Sequence, residues 1–115
     1  MTVFDNSPAQ LAQDELVSRR DGLPLRTVEG DAADLSAFPD ATFDAVVICL
    51  ALEHVDDFAR ALTEAARVLE PGGTFLLNTP YSTAEIWDQL PRPMQLGIGS
   101  EASWALSVER TVRLN

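Results

Sequence analysis

The run Asp44 to Leu50 (DAVVICL) constrains the fold more than any other stretch of the chain. After its first residue it has no polar position, and its density of β-branched residues suits a strand buried on both faces. Such a strand needs helices above and below it, which implies an α/β fold with a mostly parallel sheet. The longest uninterrupted apolar run, Ala45 to Leu52, is far short of the roughly 20 residues that span a bilayer, and no basic stretch follows Met1. The expectation is a cytoplasmic protein without a membrane partner, and its 115 residues suffice for one small core.

The flanking segments fit that layering. Thr2 to Phe4 reads as the end of a strand. Ser7 then offers an N-cap oxygen, Pro8 sits at the first helical position and Gln10 falls where a capping box places its third residue, so a helix is expected from Pro8 to about Arg20, closed by Gly22. Leu25 to Glu29 reads as a second strand ending at Gly30-Asp31. After a turn-rich loop and the apolar strand, Asp56 or Asp57 caps a helix in which Phe58, Leu62, Ala65, Ala66 and Leu69 share a face, and Pro71-Gly72-Gly73 stops it before a strand from Thr74 to Asn78. Beyond Thr79, Tyr81 to Leu90 reads as a helix capped by Ser82 or Thr83, and LSVERTVRL alternates as an edge strand would. Tyr81, Trp87 and Trp104 read as a lid or aromatic wall, or as core or interface residues.

Charge and cysteine content narrow the partners. Eighteen acids face eight bases, all arginine, for a net charge of −10. That balance repels phosphate backbones and anionic membranes, so no direct nucleic-acid partner is expected. Cys49 stands alone in the apolar run, without a partner for a disulfide or a metal site, which fits a reducing compartment.

Ligands of open parallel sheets bind at the carboxyl ends of the strands. Three of those ends carry polar groups here: Asp5, Asp31, and Glu53-His54 a few residues past the third strand. An acid ending a strand just before a helix accepts hydrogen bonds from ribose hydroxyls in nucleotide-binding folds. Asp31, one strand over, is placed to accept from an exocyclic amine such as that of adenine. The plainer alternative is that both acids only cap and solvate loops. His54, the single histidine, has a reference pKa suited to a general base, and equally reads as an exposed or helix-capping residue.

The run VEGDAADLSAFPDATFDAVVICLALEHVDDFARALTEAARVLEPGGTFLL resembles the middle and later part of a class I S-adenosylmethionine-dependent methyltransferase of the type-11 group. The matching elements are an acid at the end of strand two (Asp5), Gly-Asp-Ala after strand three (Gly30 to Ala32), a Phe-Asp-x-Val-hydrophobic strand four (Phe43 to Ile48), and Arg-Val-Leu-x-Pro-Gly-Gly before strand five (Arg67 to Gly73). The resemblance covers about residues 2 to 80. It implies a partial Rossmann-like fold, with residues 1–80 a partial cofactor-binding domain and 81–115 an extension of it. It also implies S-adenosyl-L-methionine as cofactor, with Asp5 and Asn6 at the ribose, Asp31 and Ala32 at the adenine, Leu50 and Ala51 lining the cofactor, and His54 near a small-molecule acceptor.

The same resemblance implies a gap. The family's glycine-rich loop follows a first strand that would precede everything seen here, and in the usual order 3-2-1-4-5 that strand is central. Its absence leaves the facing edges of strands two and four unpaired, so that either those strands pair directly or another segment or chain fills the slot, and a homodimer or a partner chain is the favoured expectation. Leu96-Gly97-Ile98-Gly99-Ser100 has the outline of the missing loop, as in a circular permutation, but Gln95 stands where an acid is expected. The function expected is a truncated or split methyltransferase, and the alternative is a non-catalytic α/β interaction module. A different nucleotide-binding α/β domain is disfavoured, because no Gly-x-Gly-x-x-Gly follows a strand and no P-loop is present.

Overall fold

The computed structural model describes residues 1–49, 51–80, 85–86, 88–89 and 111–114. Strand β1 (Thr2–Asp5) leads into helix α1 (Pro8–Asp21) and strand β2 (Arg26–Glu29). Strand β3 (Phe43–Cys49) is followed by a single 3₁₀ turn (Leu52–His54), helix α2 (Phe58–Val68) and strand β4 (Leu69–Asn78), and strand β5 (Thr111–Leu114) comes last. The five strands form one sheet in the order β2-β1-β5-β3-β4, with every recorded pairing parallel.

Local chemistry explains the helix boundaries. The Ser7 hydroxyl accepts the Gln10 N–H at 3.2 Å, Pro8 opens α1, and Gly22 ends it in the left-handed conformation with φ 67°. The return half of the expected capping box is replaced. The Ser7 N–H donates to Asp5 Oδ1 at 2.9 Å, while the Gln10 amide turns outward to Asp14 Oδ1. Of the two candidate caps for α2, Asp57 is the one used, its carboxylate accepting the Arg60 N–H at 3.1 Å.

Pro71-Gly72-Gly73 does not separate α2 from the following strand as expected. The helix already ends at Val68, and β4 starts at Leu69. Leu69 pairs with Phe43 and Thr74 pairs with Ala45, so the intervening residues bulge out of the ladder around Gly72, whose φ is 79°. The bulge keeps Leu69 in register at the base of β3, with Pro71 and Gly72 exposed and Gly73 packed against the Asp44 carbonyl, where a β-carbon would stand 2.9 Å from that oxygen.

The larger correction concerns β5. The alternating stretch LSVERTVRL was expected at an edge, and the central slot was open to direct pairing, another segment or another chain. Its last residues, Thr111–Leu114, instead lie in the middle of the sheet, paired with Thr2–Phe4 on one side and Ala45–Ile48 on the other. Val112 and Leu114 are fully buried, whereas Arg113 between them is exposed. A central strand retains an alternating pattern here because only one of its faces meets the core, while the other opens into the cleft described below. Of the expected Tyr81–Leu90 helix, Glu85–Ile86 are helical and Asp88–Gln89 form a turn; its other residues and the Leu96–Ser100 segment lie outside the described residues.

The core lies between the sheet and α2. Phe4, Val46, Ile48, Val112 and Leu114 from the sheet meet Ala61, Leu62, Ala65 and Val68 from the helix. Phe38 bridges Phe4 and Phe43 edge-to-face, with ring centroids 5.8 and 5.1 Å apart. This anchors the loop between β2 and β3, and Arg67 holds it from the other side. Its guanidinium donates to the carbonyls of Leu35 (2.8 Å) and Phe38 (3.0 Å) while pairing with Glu64 and Asp40.

Candidate donor-binding cleft

All the strands run the same way, so their carboxyl ends converge on one side of the sheet, together with the start of each following segment. A cleft of about 750 Å³ occupies that side. At its centre Asp5 ends β1 with only 5% of its surface exposed. Its Oδ1 takes the Ser7 N–H, and a carboxylate has room for about four donors, so acceptor capacity remains toward the cleft.

Gly30 sets Asp31 beside it. The Gly30 N–H donates to the Asp5 carbonyl at 2.9 Å, tying the ends of β1 and β2 together. A β-carbon on Gly30 would stand 2.3 Å from Cζ of Phe4, so only glycine lets the chain pass that close to the ring. Asp31 then turns into the cleft, with its Oδ1 accepting the Ala33 N–H at 2.9 Å, and buried Ala32 gives an apolar surface beside it.

The opposite wall follows β3. Ala51 is buried at its end, and His54 and the cap of α2 continue the rim. The His54 side chain is 81% exposed, with Nε2 3.9 Å from Glu53 Oε1. Of the residues expected at the site, Asp5, Asn6, Asp31, Ala32, Ala51 and His54 all line this one cleft, and Leu50 lies outside the described residues. Gln10 and Asp14 of α1, Asp57 and Arg60 of α2, and Arg113 of β5 line it as well. Sequence reasoning missed them. Arg113 had one signal, the single polar position between Val112 and Leu114, and reading the segment as an edge strand turned that residue toward solvent.

The profile of the family described as "Methyltransferase domain" matches residues 1–77, about two thirds of the chain. The chain belongs to that family. A methyltransferase of Bacillus subtilis, described as the uncharacterized YbaJ, is 42% identical over 76 residues, which are 66% of this chain and 30% of that protein. The chain thus spans less than a third of that relative's length. Among solved structures, the YcgJ protein of Bacillus subtilis superposes with a TM-score of 0.60 at 25% identity, over 66% of this chain and 42% of its own. The [4+2]-cyclase SpnF gives the same TM-score at 24% identity, over 66% of this chain and 37% of its own, and shows the fold alone. A cyclase with this architecture illustrates that the fold by itself does not settle a reaction.

Membership of the methyltransferase family indicates S-adenosyl-L-methionine as the methyl donor. The adenosine half of such a molecule fits what the cleft presents: two adjacent carboxylates with spare acceptor capacity for hydroxyls and an amine, and alanine surfaces for a ring. No described helix is long and apolar enough to cross a membrane.

Proposed function

We propose that the chain is the donor-binding part of an S-adenosylmethionine-dependent methyltransferase whose acceptor is a small molecule. The observation that carries this reading is the pair of acids at the ends of adjacent parallel strands, tied together through Gly30, in a cleft floored by alanines. Asp5, with Asn6 alongside, accepts the ribose hydroxyls, and Asp31 accepts the adenine amine while Ala32, Leu50 and Ala51 pack near the bound nucleoside. When bound, the donor supplies a methyl group on a sulfonium, already strongly electrophilic.

The protein's share is therefore alignment and exclusion of water, and a base is needed only when the acceptor must lose a proton. His54, on the rim past β3, is the residue proposed for that task, its imidazole holding the proton that the acceptor loses. The lone Cys49 supports a reducing, cytoplasmic setting.

Calorimetric titration with S-adenosylhomocysteine, the demethylated product, tests the reading. Micromolar binding is expected, and Asp5→Ala should weaken it roughly tenfold to a hundredfold, since it removes a charged acceptor of two hydroxyl groups. Unchanged affinity in that variant would show the ribose assignment to be wrong.

A further inference from the structure

The proposed nucleoside position leaves the other end of the donor without a holder. That end carries an α-ammonium and an α-carboxylate, next to the sulfonium. The carboxylates of Asp5, Asp14, Asp31, Asp56 and Asp57 around the cleft suit the two cations and repel the one anion. Among the described lining residues the only side chains with a permanent positive charge are Arg60 and Arg113.

The strand order chooses between them. With adenine over the end of β2 and ribose over the end of β1, the rest of the molecule continues across β5 toward β3. Neighbouring strands lie about 4.8 Å apart, so this path covers about 10 Å from β1 to β3, with Arg113 midway. The register places Arg113 opposite Val3 on one side and Val47 on the other, two residues below Asp5 and Cys49 respectively. Side chains paired across a parallel sheet share a face, and Val3, Asp5, Val47 and Cys49 alternate onto the face opposite the α2 core. Arg113 therefore rises along the same face as Asp5, exposed to the cleft, with a side chain long enough to span those two residues. Arg60 stands on α2, the helix of the core face, beside the cap Asp57 and past the end of β3, off the path that runs from β1 across β5.

We infer that Arg113 binds the α-carboxylate of the methyl donor, so that the strand filling the centre of the sheet also supplies the contact for the amino-acid end. The inference rests on the donor-binding reading above. A planar guanidinium offers paired N–H groups to a carboxylate, which an ammonium does not match.

The test compares two ligands on the intact chain by calorimetry: S-adenosylhomocysteine, which has the carboxylate, and 5′-methylthioadenosine, which lacks the whole amino-acid end. Arg113→Met should weaken S-adenosylhomocysteine roughly tenfold or more and leave methylthioadenosine unchanged, with Arg113→Lys in between. Thermal unfolding of each variant accompanies the titrations, and Arg113 is exposed, so the variants are expected to fold. Equal losses for both ligands would make Arg113 a general support of the site and overturn the carboxylate assignment, as would no loss for either. Wild-type binding of methylthioadenosine that is lost in Asp5→Ala, with S-adenosylhomocysteine no tighter, would overturn this inference and leave the donor-binding reading standing. Failure of the wild type to bind either ligand would overturn both.

Discussion

Arg67 shows how much a single side chain can do for a loop. Its side chain is 29% exposed, and it bonds two backbone carbonyls of the β2–β3 loop as well as two carboxylates. Glu64 closes the arrangement by accepting the Leu35 N–H at 2.8 Å. Replacing Arg67 by Met leaves both carbonyls and Glu64 without this donor, and a loss of about 2 kcal/mol in urea unfolding is expected. The beside-lying guanidinium holds the Glu64 carboxyl below its ordinary value of 4.5. A depressed folded-state pKa contributes stability that is complete above the unfolded value and disappears as the pH falls through the folded one. Acid unfolding should therefore steepen below about pH 4.5, and Glu64→Gln should flatten that part of the curve while leaving the neutral region less stable. A pH profile unchanged in Glu64→Gln would refute the coupling. In the sequence, Arg67 was visible only as part of a motif before Pro-Gly-Gly. Glu64 is one turn away on the same helix, but the loop partners Leu35, Phe38 and Asp40 lie 27 to 32 residues away, a separation that no local pattern encodes.

At the scale of elements, what was legible had local causes. Ser7, Pro8 and Gly22 fix α1 because caps act over one turn, and the β-branched run fixes β3, whose residues are all buried or half-buried and are apolar after Asp44. Asp5 and Asp31 were found for a related reason: an acid directly after a strand has its place set by where the strand ends. The turn at Gly30 is the element-level joint of the site. Gly30→Ala would drive a β-carbon to 2.3 Å from the Phe4 ring, and overpacking of that kind costs roughly 1–3 kcal/mol. The variant is expected to lower the thermal midpoint by several degrees and to weaken S-adenosylhomocysteine binding together, because the same turn supports the core and aims Asp31. A variant as stable as wild type would mean that the turn does not press on Phe4 as described. The Pro71–Gly73 bulge and the central place of β5 were not legible, since both depend on pairing with β3 and β1, strands remote in sequence.

In the molecule as a whole, β5 is the strand on which both the sheet and the cleft depend. Four residues from the C-terminal part of the chain join strands from its first 49 residues, complete the sheet, bury Val112 and Leu114 against the α2 core, and carry Arg113 into the cleft. Fold and proposed site thus share one strand. Without it β1–β2 and β3–β4 would be two separate pairs, with the apolar edges of β1 and β3 open between them. Hydrogen exchange of the backbone amides of Val112, Arg113 and Leu114, followed by NMR on the chain, tests this arrangement most directly. A central strand bonded on both sides opens only with the whole sheet, so the predicted result is protection equal to that of Val46 and Ile48 in β3. Exchange at the rate of an exposed loop would contradict it, and the sheet would then lack its centre and the proposed site its arginine.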